Sequence, residues 1–394
     1  MALPRTLVIV LAGGAGSRLE PLTAHRAKPA VRFLGSHRLI DFPLSNARNA
    51  GLDDVWVVQQ YHPMSLNDHV ANGRPWDLDR TVGGMRVLRP FQGDVGEGWH
   101  AGTADALWRN RELIEDFGAD AVLVVSADAV YRLDYAAVVD AHLAADAEVT
   151  MVTARHDGDV SRYGVVEADD DGRITGYAYK PEDPATDVVT TEVFVLAPDL
   201  LLRTLGRFAA EHDLADLGDD VLPHLVDRGT AREHRTTGYW QDVGTIAAYW
   251  RTNLAFLDEG APFALDDPRW PIAGRPDRHT GARVTPTGEV SASVLCAGAR
   301  VSGTVRRSVV GEGAVVEAGA EVMDSVLLDG VVVAAGARVR RAVVDEGARI
   351  GADAEVGGPA GDDDEAVGVV GTGCEVPAGD TVAPGARHPE PQEG

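Results

Sequence analysis

The chain has 394 residues, of which 45% are apolar, and its 61 acidic and 36 basic side chains give a net charge of −25. This length exceeds what a single hydrophobic core usually serves, so we predict two domains. The acidic excess argues against a nucleic-acid-binding protein, which needs a basic face to replace phosphate counterions. It leaves room for a nucleotide substrate in one local basic pocket.

Cysteine usage and hydropathy exclude other classes of protein. Cys296 and Cys374 lack metal-ligand spacing, which predicts neither a disulfide framework nor a zinc site and fits a reducing cytoplasm. The N-terminus runs directly into an apolar strand, without the long apolar core of a signal peptide. No stretch approaches the ~20 apolar residues of a membrane span. We therefore expect a cytoplasmic protein with no membrane partner.

Short apolar runs alternate with helical patterns through the first two-thirds of the chain. The runs are residues 7–10, 55–58, 121–125 and 149–152. Continuous apolar runs of this length suit the buried strands of a parallel sheet, and the intervals leave room for crossover helices. We predict an α/β domain with a doubly wound, Rossmann-like sheet.

The last third of the chain, from about Ser291, is rich in Val, Ala and Gly. Branched residues recur there every six positions, with a slip of one after the fourth, and the period is typical of a parallel β-helix with one inward side chain per face. A low-complexity linker would not place valines on a fixed period. Residues 362–365 interrupt the pattern as an acidic loop. The branched positions are Val310, Val316, Val322, Leu328, Val333, Val339, Val344, Ile350 and Val356.

A glycine-rich turn, Leu-Ala-Gly-Gly-Ala-Gly-Ser-Arg-Leu at residues 11–19, follows the first apolar run. Glycines let backbone N–H groups approach phosphate oxygens, and Arg18 and Lys28 would neutralise charge on a triphosphate. The turn lacks the Gly-Lys-Ser/Thr ending of a Walker loop. It also lacks the dinucleotide-binding spacing, because Leu19 stands where the last glycine belongs.

The motifs after this turn resemble a known family. Pro-Leu-Thr at 21–23 and Arg-Ala-Lys-Pro-Ala at 26–30 follow in the order found in sugar-nucleotide pyrophosphorylases. The second motif narrows the likeness to the ADP-glucose pyrophosphorylase family. The likeness covers nearly the whole chain and includes residues 40–46 (Ile-Asp-Phe-Pro-Leu-Ser-Asn), 102–106 (Gly-Thr-Ala-Asp-Ala), 239–245 (Tyr-Trp-Gln-Asp-Val-Gly-Thr) and 270–272 (Trp-Pro-Ile).

The resemblance implies transfer of an adenylyl group from ATP to glucose 1-phosphate, giving ADP-glucose and pyrophosphate for glycogen or α-glucan synthesis. Mg²⁺ is the implied cofactor, and a homotetramer assembled through the β-helix is the implied oligomer. We predict a nucleotidyltransferase domain at residues 1–257, a linker at 258–290, a left-handed parallel β-helix at 291–385 and a disordered tail at 386–394.

The resemblance also implies the site residues. Asp128 follows an apolar strand, where open α/β sheets place their ligands. The implied residues are Arg18, Lys28 and Asp128 for catalysis; Leu11, Ala12, Gly13, Gly14, Gln60, Gln92, Gly102 and Thr103 for the nucleotide; Gly164, Tyr179, Lys180 and Glu192 for the sugar phosphate; Asp128 and Asp242 for the metal; and Arg26 for an effector.

Departures from the family pattern concentrate near the sugar site. Tyr179 replaces a glutamate, Glu192 is a new carboxylate, and the adenine-pocket segment shrinks to residues 90–93. Two alternatives therefore stay open. One is the same chemistry on another sugar 1-phosphate, such as glucosamine 1-phosphate, and the other is a catalytically weak regulatory subunit.

Two further functional hypotheses concern regulation and the β-helix. His25 stands where the family often has an activator lysine, so we expect control by effectors to be weak or different, because histidine loses its charge near neutral pH. A β-helix that acts as an acyltransferase needs a catalytic histidine in the coil. None lies between His279 and His388, so the sequence argues against an acyltransferase.

Overall fold

The computed structural model describes residues 4–14, 16–89, 100–275, 279–359 and 366–390. The chain divides into two compact units, which we call the sheet unit and the coil unit. The sheet unit is Met1–Gly14, Phe42–Pro63 and Val70–Trp240, and the coil unit is Ala15–Asp41, Met64–His69 and Gln241–Gly394. The domain boundary predicted at residue 257 stays a prediction.

Thirteen strands and eight α-helices precede the coil in the described residues. The strands are β1 (Thr6–Ala12), β2 (Arg32–Phe33), β3 (His37–Arg38), β4 (Asp54–Gln59), β5 (Gly84–Leu88), β6 (Ala121–Ser126), β7 (Ala129–Tyr131), β8 (Val149–Arg155), β9 (Gly164–Ala168), β10 (Ile174–Tyr179), β11 (Val188–Leu196), β12 (Ala231–Arg235) and β13 (Trp240–Asp242). The helices are α1 (Asp41–Asn49), α2 (Pro63–Val70), α3 (Thr103–Arg109), α4 (Arg111–Phe117), α5 (Tyr135–Ala144), α6 (Pro198–Glu211), α7 (Leu222–Asp227) and α8 (Ile246–Ala255). Short 3₁₀ turns cover Ser17–Leu19, Lys28–Ala30 and Arg74–Trp76, and a π-turn covers Leu217–Val221.

The sheet unit is built on a nine-stranded sheet. Its main path runs β10-β9-β11-β6-β1-β4-β5, and β8 joins β11 to β12. The four apolar runs predicted as strands lie in β1, β4, β6 and β8, so those predictions are confirmed. The sheet is mixed, because β11 runs antiparallel to both β6 and β8, whereas β1, β4, β5 and β6 are mutually parallel.

The main core of the sheet unit lies between the sheet and helices α3, α4, α6 and α7. Alternate residues of β1, Leu7 and Ile9, join this core, because successive side chains of a strand point to opposite faces. Leu201 and Leu205 of α6 are fully buried in the same cluster at the helical spacing of four. The core therefore fixes the strands whose ends carry the candidate site.

The coil unit contains a parallel β-helix of three six-stranded sheets. Successive strands on one face are separated by 17 residues through most of the coil, as in the pairing of Val316 with Val333. Its strands are β14 (Arg283–Val284), β15 (Glu289–Ser291), β16 (Val294–Leu295), β17 (Arg300–Val301), β18 (Thr304–Arg306), β19 (Val309–Val310), β20 (Val315–Val316), β21 (Glu321–Met323), β22 (Val326–Leu327), β23 (Val332–Val333), β24 (Arg338–Arg340), β25 (Ala342–Val344), β26 (Arg349–Ile350), β27 (Glu355–Gly357), β28 (Gly368–Val370), β29 (Glu375–Val376), β30 (Thr381–Val382) and β31 (Arg387–His388).

The six-residue period holds with one correction. Leu327, which pairs with Val310 and Val344, supplies the inward side chain that the sequence assigned to Leu328. A coil of 17 residues divides into steps of six, six and five, so the slip falls before residue 327. Leu328 is also buried, but outside the coil core.

The strands of the coil extend beyond its predicted ends. The first rung pairs Arg283 with Arg300, and the last pairs Val370 with His388. Strand β14 thus lies within the predicted linker and β31 within the predicted tail, and the predicted domain bounds stay a prediction. Residues 391–394 lie outside the described chain. In the part that the structure describes, every helix falls short of the length and apolarity that a bilayer crossing needs.

Candidate active site

The carboxyl ends of β1, β4 and β6 bring the first candidate residues to one edge of the sheet. Leu11 pairs with Ser126, Ala12 pairs with Gln59, and the Ala127 N–H donates to the Leu11 carbonyl at 3.2 Å. Gly13 and Gly14 follow directly. A Cβ on Gly13 would lie 3.6 Å from that of Gln60, and one on Gly14 would meet nothing within 4 Å. The backbone of this turn is therefore open to a ligand.

Gln60 is buried, and its carboxamide is bonded at both ends to one residue. Its Nε2 donates to the His100 carbonyl at 2.9 Å, and its Oε1 accepts from the His100 N–H at 3.0 Å. These bonds fix the backbone that leads to Gly102. Gln92, which the sequence predicted to bind the nucleotide, lies outside the described residues.

Gly102 and Thr103 are held against the segment before the π-turn. A Cβ on Gly102 would lie 2.4 Å from the carbonyl atoms of Ala215, so only glycine fits. The Asp216 carboxylate accepts from the Thr103 N–H at 3.1 Å and from its hydroxyl at 3.3 Å. The Leu217 N–H donates to the Thr103 hydroxyl at 2.8 Å. In this arrangement Thr103 positions Asp216.

The predicted sugar residues lead to the same carboxylate. Lys180 Nζ donates to the Tyr179 hydroxyl at 2.7 Å, and that hydroxyl donates to Asp216 Oδ2 at 3.4 Å. Gly164 pairs with Tyr179, and a Cβ there would lie 2.7 Å from the Tyr177 hydroxyl. Gly164 therefore makes room for a tyrosine of the site. No sequence motif pointed to Asp216, because its partners are far away along the chain.

Glu192 lies in a bulge of β11, beside the carboxyl end of β6. Its neighbour Val193 pairs with Val125. The φ of Glu192 is 56°, in the left-handed region that residues with a side chain rarely adopt. Burial, and then the nearby Asp128 carboxylate, raises the pKa of Glu192 to about 7. Asp128 itself accepts from the Ser126 hydroxyl at 2.5 Å.

Arg18, Lys28 and Asp242 lie in the coil unit. Lys28 is 6% exposed, and its ammonium lies 3.6 Å from Asp242 Oδ1. Gly16 has a φ of 70° and approaches Lys28 so closely that a Cβ would lie 3.0 Å from that of the lysine. Arg18 is exposed and lines a cavity of about 310 Å³ with Arg387 and the first residues of α8. This segment therefore presents cations on an ordered backbone.

Arg26, the predicted effector residue, is buried and already paired. Its Nη1 lies 2.7 Å from Asp345 Oδ1, and its Nη2 donates to the Thr372 hydroxyl at 3.2 Å. Burial opposes its charge, but the Asp345 and Glu346 carboxylates raise the pKa of Arg26. An anionic effector would have to displace Asp345. Its effector role stays a prediction.

The comparisons with known proteins cover both units. The family model described as nucleotidyl transferase matches residues 7–259, and the one described as GlmU-like C-terminal hexapeptide matches residues 276–376. The glucose-1-phosphate adenylyltransferase of Lachnospira eligens is 37% identical over 79% of this chain and 74% of its own length. The one from Geobacillus stearothermophilus is 37% identical over 80% and 82%, and the one from Thermomicrobium roseum 40% over 74% and 69%.

The chain belongs to the glucose-1-phosphate adenylyltransferase family. Membership confirms the resemblance read from the motifs. It also confirms the predicted fold, a doubly wound nucleotidyltransferase domain followed by a left-handed parallel β-helix. Enzymes of this class generally use a divalent metal ion.

The lysine content of the chain is a further signal of the phosphate-binding residues in this adenylyltransferase family member. Lys28 and Lys180 are the chain's only lysines, and the other 34 of its 36 basic residues are arginines. A lysine offers a compact point charge with rotatable donors, whereas arginine offers a planar fork. Both lysines fall on residues already singled out for phosphate contacts.

The predicted metal ligands of this adenylyltransferase family member have the right chemistry. Asp128 and Asp242 offer carboxylate oxygens, which Mg²⁺ prefers, and Mg²⁺ is usually held by one or two carboxylates with phosphates and water completing the shell. Among the described residues, no group of three or more potential ligands forms a preassembled cluster. Two carboxylates leave most of that shell to phosphates and water, so the chemistry of the predicted ligands fits Mg²⁺.

Proposed function

We propose that the chain transfers an adenylyl group from ATP to glucose 1-phosphate and releases pyrophosphate, with Mg²⁺ as the metal. The observation that carries the proposal is the shared sheet edge, where the open Gly13–Gly14 turn, the Gln60–His100 pair and Asp128 lie together in the family's motifs. The curated relatives are named for this activity.

The reaction displaces pyrophosphate from the α-phosphorus by an oxygen of the sugar phosphate, so catalysis depends on positioning and charge. Backbone N–H groups at Gly13 and Gly14 would bind phosphate oxygens. Arg18 and Lys28 would offset the charge of the leaving pyrophosphate, and Lys180 would hold the sugar phosphate. Asp128 and Asp242 would hold a divalent ion, which would supply Lewis-acid stabilisation of the phosphates.

Glucosamine 1-phosphate is a second candidate substrate, favoured by the charge around the sugar residues. The pKa of Asp219 is raised by burial and by Asp216, and the pKa of Glu192 is raised as described above. The carboxylates of Glu192, Asp216 and Asp219 thus lie near the ammonium of Lys180. A protonated amino sugar would supply the missing positive charge.

We extend the proposal to the wider setting of the family: cytoplasmic glycogen or α-glucan synthesis by a homotetramer. The regular β-helix supports the assembly, because its stacked coils offer a stable surface for a second copy. The regulatory-subunit hypothesis is less well supported, because the phosphate turn and both lysines are retained.

Pyrophosphate release tests the function. We expect turnover with ATP, Mg²⁺ and glucose 1-phosphate, and a lower rate with UTP, GTP or dTTP. Asp128→Asn and Asp242→Asn should each lower kcat by roughly 100-fold, because a neutral amide binds Mg²⁺ weakly. Asp120→Asn, which changes a carboxylate that accepts from the Arg5 N–H, is the matched control. Folded wild-type protein with no turnover on either sugar phosphate would refute the proposal, and wild-type rates in both variants would refute the metal assignment.

A further inference from the structure

A column of acidic residues runs down one corner of the β-helix. Glu312, Asp329 and Glu346 follow each other at the 17-residue spacing of the coil, and Asp345 lies beside the last of them. Each of the three precedes a glycine with a φ between 67° and 69°, namely Gly313, Gly330 and Gly347. The left-handed turn at each corner therefore places the carboxylates on the same edge, and we call these four residues the acidic column.

The acidic column is unfavourable by itself. Stacked like charges repel, and burial adds the cost of removing carboxylates from water. Burial raises the pKa of Asp329 to about 6 although Arg32 opposes the shift, and burial also raises the pKa of Asp345. A β-helix needs no such column for its own stability, because its inward side chains supply its core. The carboxylates therefore call for a second explanation.

Two arginines of the Lys28 segment meet the acidic column. Arg26 pairs with Asp345 at 2.7 Å and lies 3.4 Å from Glu346, and both Arg26 and Asp345 are almost completely buried. Arg32 pairs with Asp329 and lies 3.5 Å from Glu312. Ion pairs thus hold the segment to the coil two residues before Lys28 and four residues after it.

The backbone between these arginines is tied down at further points. The Ala27 N–H donates to the Ser65 hydroxyl at 3.1 Å, and the Val31 N–H donates to the Lys28 carbonyl at 3.0 Å. The Tyr249 hydroxyl donates to the Arg32 carbonyl at 2.5 Å. With both flanks fixed, the Lys28 side chain has little freedom to leave its place beside Asp242.

We propose that the acidic column positions Lys28 for the nucleotide phosphates by holding Arg26 and Arg32. The proposal rests on the proposed adenylyl transfer and on the role of Lys28 in it. Asp345 and Asp329 are then positioning residues of the β-helix, which acts on the reaction as well as on assembly. Misplacing a phosphate-binding ammonium by about 1 Å can cost on the order of 100-fold in rate.

The test compares full-length variants at a temperature well below unfolding. Asp345→Asn keeps the shape of the side chain and removes the charge opposite Arg26. We expect kcat with ATP and glucose 1-phosphate to fall roughly 10- to 100-fold. The KM for glucose 1-phosphate should stay within about twofold, because its proposed residues lie in the sheet unit. Glu321→Gln breaks a coil ion pair of similar length with Arg340 and is the matched control.

A second readout follows Lys28 directly, because the chain has two lysines. Trinitrobenzenesulfonate modification, read by peptide mass spectrometry, gives the labelling ratio of Lys28 to the exposed Lys180. We expect this ratio to rise about fivefold in Asp345→Asn and to stay constant in Glu321→Gln. If Asp345→Asn fails to fold, Thr372→Val replaces it, because the Thr372 hydroxyl bonds both Arg26 and Asp345. The same changes, smaller in size, are expected.

A folded Asp345→Asn or Thr372→Val protein with wild-type kcat and labelling ratio would overturn the proposal. So would an equal loss of kcat in Glu321→Gln, since that would be a general effect of weakening the coil. A wild-type protein without turnover would refute the proposed function instead. The labelling ratio would still report whether the acidic column positions Lys28.

Discussion

Glu192, which we propose to contact the sugar phosphate substrate, is held in a strained backbone conformation. Its left-handed backbone costs on the order of 1–2 kcal/mol. A bulge in the pairing of β11 with β8 between Thr190 and Phe194 contains it. Strain of this kind persists where the surrounding structure enforces it and often marks a functional position. The sequence predicted that Glu192 belongs to the site, but the bulge that aims it is a property of the folded sheet.

The raised pKa of Glu192 leads to a prediction about pH. A carboxylate accepts hydrogen bonds from sugar hydroxyls, whereas the protonated form loses part of that capacity. In the free enzyme, kcat/KM for glucose 1-phosphate should therefore rise with pH along a limb centred near pH 7. A divalent cation beside Asp128 would move that limb to lower pH.

The variant Glu192→Gln tests whether the limb of the pH profile near pH 7 belongs to Glu192 or to another group. We expect the variant to have a lower kcat/KM at pH 8 and no limb near pH 7, because the amide does not titrate. The profile with ATP varied at saturating sugar phosphate serves as the control. An unchanged limb in the variant would assign the titration to another group.

At the scale of elements, the regular parts of the chain were predictable and the irregular ones were not. Apolar runs located β1, β4, β6 and β8, because a buried strand needs few other signals. The antiparallel β11 was not predicted, because direction in a sheet depends on connections and partners that a local pattern does not contain. Asp216 was missed for the same reason, since its link to Thr103 spans 113 residues.

The π-turn at Leu217–Val221 gives a prediction for an element. A Cβ on Gly218 would lie 2.4 Å from the Tyr179 ring, so Gly218→Ala must displace the tyrosine from its contact with Asp216. Overpacking of this kind costs about 1–3 kcal/mol of folding stability. Loss of about 1.4 kcal/mol of binding at the displaced tyrosine would raise the KM for glucose 1-phosphate roughly tenfold.

The KM for ATP should change little in Gly218→Ala, and initial-rate kinetics with each substrate varied in turn would measure both values. Gly260→Ala is the matched control, because a Cβ at Gly260 meets nothing within 4 Å. Equal KM values in the two variants would argue against a role of Tyr179 in binding the sugar phosphate.

At the scale of the whole molecule, residues that are far apart in sequence contact each other within one unit. The segment Ala15–Asp41 belongs to the coil unit although it follows β1 by only three residues. Long-range ion pairs join this segment to the β-helix, as between Arg26 and Asp345, which lie 319 residues apart. Motifs predicted that Lys28 binds phosphate, but no local pattern predicts which unit carries it.

The net charge of −25 gives a prediction for the whole molecule. Raising the ionic strength from 0.01 to 0.15 M shortens the Debye length from about 30 to about 8 Å and screens surface repulsion. We expect the thermal midpoint to rise by a few degrees, because buried pairs such as Arg26–Asp345 are screened much less. Calorimetry in sodium chloride and in choline chloride would separate screening from specific cation binding. A midpoint that falls with salt would mean that ion pairs outweigh the net repulsion.

The largest change in coil length falls at one corner and leaves the stacking intact. Arg349 pairs with Glu375, 26 residues later, whereas the rung before it pairs Val332 with Arg349 after 17. The nine additional residues fall between β27 and β28, and the strands on both sides keep parallel pairing. The register of strand pairing therefore depends on the stacked strands and not on the length of the connections between them. This corner is a natural site for a grafted peptide, where an epitope or a fluorescent reporter can be accommodated while the stacked rungs above and below continue to fold as one body.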